Sequence, residues 1–145
     1  MNIRIENIEC DEEEQVLIKC HNLDKDIIDI INYIQSKHEI ITGYYNLQIY
    51  QIYLKDVYYF EGVDNKVYAY LKDNIYEIKK KLYELEEIYE QRQFFRCSKS
   101  VLINLLKIES VKPTLNGRFT AKLFNGEQII ISRQYVPKLK SIMQI

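Results

Sequence analysis

Phe94-Phe95-Arg96-Cys97-Ser98-Lys99-Ser100-Val101-Leu102-Ile103-Asn104 is the stretch on which the reading of this chain turns. Apolar runs flank a short polar centre, and the charges sit singly among residues that build a core. Such a pattern holds cations on a folded scaffold rather than on a loose tail. Its surroundings share the bias. Residues 91–145 carry ten Lys and Arg against Glu109 and Glu127, a net +8, while the first ninety carry ten against nineteen Asp and Glu, a net −9. The overall −1 conceals this split. Asymmetry of this kind points to a polyanion-binding surface on one part of the molecule.

Composition bounds the rest. A chain of 145 residues has room for one ordinary domain, or one with a small extension. With 47% hydrophobic and 28% charged residues it can bury a core. Four glycines and two prolines leave no long flexible linker. The apolar runs fall far short of the ~20 residues that span a bilayer. Met1-Asn2-Ile3-Arg4-Ile5-Glu6 lacks the apolar centre of a signal peptide. A cytoplasmic protein is expected. Cys10, Cys20 and Cys97 have unrelated spacings and form no CxxC, so each is read as a small buried apolar residue rather than a metal or redox group.

Along the chain, Ile3, Ile5 and Ile8, the acidic turn Asp11–Glu14 and then Val16-Leu17-Ile18 predict two short strands within residues 1–22. Ile27, Ile30, Ile31 and Ile34 predict a helix over Asp24–Lys37, with Asp24 and Asp26 at its positive end. From residue 39 onward β-rich runs follow closely: 40–45, 48–53, 57–60, 67–71 and 75–78. Turn chemistry separates them at Asn46-Leu47, Gly62–Asn65 and Asp73-Asn74. Twelve of the thirteen tyrosines lie between positions 33 and 89, and are read mainly as packing along these strands. A helix is expected over Lys80–Glu90. Further strands follow at 107–111, 119–124 and 128–131, with Asn125-Gly126 as a hairpin signal. A last helix over about Tyr135–Met143 has Pro137 in its first turn, which makes Ser132–Tyr135 an irregular entrance.

Asp56-Val57-Tyr58-Tyr59-Phe60-Glu61, Lys81-Leu82-Tyr83-Glu84-Leu85-Glu86, Phe95-Arg96-Cys97-Ser98-Lys99-Ser100 with Asn104, and Ile131-Ser132-Arg133-Gln134-Tyr135 occur in this order. In that combination the chain, from about residue 41 to 143, resembles the LytTR DNA-binding domain of bacterial transcription regulators. The resemblance implies an α+β, mainly β fold, a ten-stranded mostly antiparallel arrangement with small helices. It implies loops, not a recognition helix, that enter successive major grooves and bend the DNA, with two copies acting on paired repeats. About forty residues precede this region, too few for a phosphoacceptor receiver of roughly a hundred residues. The chain is similar to the stand-alone subgroup, with a strand-and-helix extension over 1–40 for dimerisation or regulation and the DNA-binding domain over 41–145. That subgroup also implies a small multi-pass membrane protein as a restraining partner, and DNA binding is expected to bring RNA polymerase to, or block it from, a nearby promoter.

Carried over position by position, three places bear the chemistry. In Asp64-Asn65-Lys66, Asn65 or Lys66 is the base-contacting equivalent; the alternative is a plain hairpin turn. Asn offers a donor and an acceptor together to an adenine edge. In Ser98-Lys99-Ser100, Lys99 reaches a guanine edge or a phosphate, and the hydroxyls either donate to phosphates or cap local backbone. Arg96 holds either the loop or a phosphate. The family often has His followed by Arg or Asn where this chain has Ser98-Lys99. At Arg133-Gln134, Arg suits guanine and Gln suits adenine. Lys112, Lys138 and Lys140 are candidate phosphate contacts, or merely solvated. Asn104 reads first as a buried amide pinning backbone, and second as a DNA contact.

Catalysis finds little support: His21 and His38 have no nucleophile or ligand set near them in sequence, and no Gly-rich phosphate loop occurs. No metal site or cofactor is expected. A β-sheet RNA-binding module is the nearest alternative on physical grounds, but the glycine-and-aromatic string of such modules is missing. A protein-interaction adaptor, using the acidic N-terminal segment and the Ile-rich helix, is the other.

Overall fold

A computed structural model describes every residue except His38, and the backbone alone of Ser36. The helix α1 (Lys25–Ser36) begins where the sequence places it, with the Asp24 carboxylate accepting the Ile27 N–H at 3.0 Å. Ile27 is buried, whereas Ile28 on the neighbouring stripe is exposed. Residues 1–23 form neither helix nor strand, contrary to the expected pair of strands. A turn is present, with the Glu12 N–H donating to the Glu9 carbonyl, but the arms on either side pair with nothing among the described residues. Local alternation alone cannot stabilise a strand that lacks a partner edge.

Seven strands build the main sheet: β1 (Ile40–Tyr45), β2 (Gln48–Tyr53), β3 (Tyr59–Val63), β4 (Lys66–Tyr70), β5 (Ile75–Ile78), β6 (Phe94–Arg96) and β7 (Val101–Asn104). Their order is β2-β1-β5-β4-β3-β7-β6. A second sheet, in the order β10-β9-β8, comprises β8 (Ile108–Pro113), β9 (Phe119–Leu123) and β10 (Gln128–Ile131). All pairings are antiparallel. The ten-stranded, mainly β architecture is thus as the sequence implied. Asn46-Leu47 and Asp64-Asn65 both adopt positive φ at two consecutive positions, as a two-residue hairpin turn matched to strand twist requires. The β9–β10 connection is longer than the Asn125-Gly126 signal predicts. Its four residues, 124–127, close with Gly126 at φ +90° and the Asn125 side chain accepting the Glu127 N–H.

The helix α2 (Leu82–Tyr89) covers one face of the main sheet; α3 (Val136–Met143) joins the small sheet on the other. The split runs residue by residue. On β7, Leu102 belongs to the core beneath α2, while Val101 and Ile103 belong to the core beneath the small sheet. Phe94 and Phe95 divide the same way on β6, as do Phe60 and Tyr59 on β3. These strands are rich in apolar residues on both sides because both their faces are buried. Tyr59 stacks on Tyr70 with ring centroids 4.4 Å apart, and the Tyr70 hydroxyl donates to Glu61 at 3.0 Å. Burial, reinforced by Glu61, pushes the Tyr70 hydroxyl up to about 12.

Cys97 is buried as expected, but Cys10 and Cys20 are exposed, because the segment that holds them packs against nothing. Burial pushes the Cys97 thiol up to about 12 from an ordinary 9.0. The fold therefore favours the thiol over the thiolate. That stability is whole below pH 9 and is lost as pH rises from 9 toward 12. In a thiol titration at pH 8, two cysteines should react in the native protein, and the third only after denaturant is added.

Asn104 ends β7 fully engaged. Its Nδ2 donates to the Val57 carbonyl at 2.9 Å, and its Oδ1 accepts the Leu106 N–H at 3.0 Å. An Asn104→Ala change leaves the buried Val57 carbonyl without this donor. It should lower the unfolding free energy by about 1–3 kcal/mol in urea titrations, whether or not DNA is present.

Candidate nucleic-acid interface

The hairpin β6–β7 puts residues 97–100 at its tip, and Arg96 shapes that tip from within. Its Nε donates to the Ser98 carbonyl at 2.7 Å and its Nη2 to the Lys99 carbonyl, while Nη1 lies 3.5 Å from Glu86 on α2. The Arg96 side chain is largely buried. These contacts brace the loop, one of the two roles the sequence left open. Ser98 also turns inward on the loop, its Oγ accepting the Ser100 N–H at 3.3 Å. Lys99 stands exposed at the tip, and its ammonium has no ion pair or hydrogen bond among the described residues.

Two backbone hydrogen bonds tie this tip to the other two predicted turns. The Gly62 N–H donates to the Ser100 carbonyl at 2.8 Å, which moors the β3–β4 hairpin beside it. Asp64-Asn65 caps that hairpin, exposed, two residues beyond the bond. On the other flank the Ser132 N–H donates to the Cys97 carbonyl at 2.8 Å, so the 3-10 turn Arg133–Tyr135 starts against the same tip. Arg133 and Gln134 are exposed there. Turns more than sixty residues apart in sequence are thereby brought to one margin of the molecule.

The remaining predicted residues fare differently. Lys66 lies on the margin but pairs with Glu77 at 3.5 Å. Lys138 pairs with Glu90 at 3.1 Å, and the Lys140 ammonium sits 5.7 Å from the centroid of the Phe119 ring. Lys112 is exposed on β8, where it lines an open groove with Arg118, Asn116 and Thr120. The cations with no carboxylate partner among the described residues include Lys99, Lys112, Arg118 and Arg133. Charge alone does not distinguish these from the paired ones.

Sequence reasoning missed Asn116-Gly117. Both adopt positive φ, and a Cβ at Gly117 would come within 3.0 Å of Cδ and 3.2 Å of Cγ of Arg133. The bare glycine therefore makes room for the Arg133 stem. An Asn-Gly pair is itself a turn signal. It was legible, but nothing in the sequence linked it to a residue sixteen positions later.

Among the described residues no three His, Cys, Asp or Glu side chains gather to hold a metal ion. His21 is exposed, and His38 lies outside the described residues.

Residues 47–144 match the LytTr DNA-binding domain family. This chain belongs to the LytTR family. A relative in Staphylococcus aureus (strain bovine RF122 / ET3-1), an uncharacterized HTH-type transcriptional regulator, is 30% identical over 119 residues, covering 82% of this chain and 80% of that one. A counterpart in strain NCTC 8325 / PS 47 has the same identity and coverage. Among solved structures, the LytTr DNA-binding domain of a methyl-accepting/DNA response regulator from Bacillus cereus has the same fold. It superposes with a TM-score of 0.70 at 23% identity, over 73% of this chain and 97% of that one. The relatives' names specify a helix-turn-helix type, yet strands intervene between α1, α2 and α3 here, so no two consecutive helices form such a unit among the described residues. The LytTR region is a DNA-binding domain, not a catalytic one.

An Arg96→Gln change removes the brace while leaving both cores in place. Amide exchange at Gly62 and Ser132, whose N–H groups donate to the Ser100 and Cys97 carbonyls of this loop, should accelerate at least tenfold, with a global stability loss of about 1–2 kcal/mol. An unchanged exchange rate would mean that the loop holds its shape without Arg96.

Proposed function

We propose that this chain is a DNA-binding transcriptional regulator that reads duplex DNA with three turns rather than with a helix. The observation that carries this reading is the pair of backbone bonds, Gly62 to Ser100 and Ser132 to Cys97, which give three polar turns one rigid margin. Rigid loops on strands buried on both faces are suited to base readout, since little ordering entropy opposes docking. Lys99 and Arg133, exposed and without carboxylate partners among the described residues, take the role of guanine or phosphate contacts. Asn65 and Gln134 offer amides suited to adenine edges, and Ser98, Ser100 and Lys112 reach phosphate oxygens. Lys66 joins them if it exchanges Glu77 for DNA. Arg96 acts through the loop it braces. Lys138 and Lys140 are weaker candidates because each already has a partner.

Sites arranged as paired repeats, two copies acting together, and a bend in the bound DNA complete the reading. Residues 1–40 serve as a dimerisation or regulatory extension: Ile3, Ile5, Val16 and Leu17 expose between 67% and 89% of their surface, apolar area that a docked partner would cover. A small membrane protein and RNA polymerase are the partners such a regulator calls for. No described helix is long and apolar enough to cross a membrane, and we place the protein in the cytoplasm. It acts without catalysis or cofactor.

Binding to duplexes from its own upstream region should fall steeply with salt, with a slope near −0.9 per phosphate contacted on a log–log plot. Lys99→Ala and Arg133→Ala should each cost about 1–3 kcal/mol and relax base preference at one position. Equal affinity for scrambled duplex and for single-stranded RNA would defeat the reading.

A further inference from the structure

The acidic part of the chain contains one local exception, Lys79-Lys80-Lys81. The sheet delivers it to an informative position. Val67 pairs with Ile78, so the end of β5 lies beside the start of β4, and Lys79 follows at once. At this end of the main sheet the connections fall in a row: the lysine link between β5 and α2, the Asp64-Asn65 turn, and the β6–β7 tip. Neighbouring strands stand roughly 4.8 Å apart. The lysine link is therefore one strand spacing from the turn that carries Asn65, on the side away from Lys99 and Arg133.

Asn65, Lys66 and the three lysines line one open groove of about 330 Å³, together with Glu77 and Glu84. Both carboxylates are engaged: Glu77 with the Lys66 ammonium at 3.5 Å, and Glu84 with the Lys81 backbone N–H at 3.3 Å. The Lys79 ammonium is held 4.8 Å from the centroid of the Tyr44 ring. Lys80 is exposed, and its ammonium has no partner among the described residues. The groove sets four ammonium groups and an amide against two carboxylates.

We propose that Lys79, Lys80 and Lys81 form an outer anchor for the phosphate backbone of duplex DNA, beyond the three reading turns. The inference rests on the DNA-reading margin proposed above, and extends it by one more connection. A duplex whose grooves receive Asn65, Lys99 and Arg133 must continue past Asn65 across this link. There it presents one negative charge per roughly 1.7 Å of axis. Ammonium groups on flexible stems suit such a contact, since they neutralise phosphates without the fixed geometry that base readout needs. The anchor therefore sets affinity and salt dependence, and leaves sequence preference to the turns.

The test uses the full chain and two duplexes, one selected by the protein from a randomised pool and one of scrambled sequence. Affinities are measured over a series of KCl concentrations. Lys80→Ala should reduce the salt slope by about 1, and the triple change K79A/K80A/K81A by about 2–3. Affinity should fall by the same factor on both duplexes, about tenfold or more for the triple variant, so that their ratio is unchanged. Lys80→Arg should restore the slope, and Lys25→Ala on α1 should not alter it. If the triple variant loses its native circular dichroism, Lys80→Ala alone decides, since the Lys80 side chain has no partner among the described residues. Wild-type slopes and affinities in Lys80→Ala and the triple variant would overturn the anchor while leaving the reading turns intact. A fall confined to the selected duplex would also overturn it, by showing that these lysines read bases. A wild-type protein that ignores both duplexes would instead sink the DNA-reading proposal itself, and the anchor with it.

Discussion

Burial of β3, β6 and β7 on both faces is the constraint from which the rest of this structure follows. Leu102 and Phe94 face the core under α2, while Val101, Ile103 and Phe95 face the core under the small sheet. A strand clamped from both sides cannot slip by one residue without exchanging its two apolar sets between cores of different shape. Register is thereby held, and with it the position of everything at the strand ends. The polar tip at residues 97–100 is the direct beneficiary. Its flanking strands are fixed in register, Arg96 gathers its carbonyls, and its own backbone moors a turn on either side.

The basic residues divide into ion-paired and unpaired groups. Some cations meet carboxylates, Arg92 with Glu39, Lys138 with Glu90 and Lys122 with Glu109, while Lys112 and Arg118 have none among the described residues. Exposed pairs such as the last two add little stability, and each cancels one positive charge locally. At the loop margin Lys99 and Arg133 have no such neighbours among the described residues. The margin is consequently a better anion site than the overall charge of −1 would allow. Arg92 also shows how the extension is held: it donates to Asn32 on α1 and to Glu39 ahead of β1, so α1 docks through polar contacts as well as through Ile27.

Where sequence reasoning erred, it erred for want of a partner. Residues 1–22 carry the alternation of two strands and even a turn between them, but strand formation needs an edge to pair with, which a local pattern does not supply. The habits of their residue type would bury Cys10 and Cys20, yet both are exposed along with the segment that contains them. That Arg96 braces the loop was not legible in sequence, because it depends on where the Ser98 and Lys99 carbonyls point.

The sequence by itself determined the mainly β class, the helices starting near Asp24, Lys81 and Tyr135, and the family, because apolar period, turn chemistry and the order of motifs are local properties of the chain. It also singled out Asn65, Lys99 and Arg133 as residues of interest. Only the tertiary structure decided that their three turns share one margin, that Gly117 makes room for Arg133, and that Lys79–Lys81 stand beside Asn65. Those relations arise from strand order and backbone hydrogen bonds between residues far apart in sequence, which no local pattern encodes.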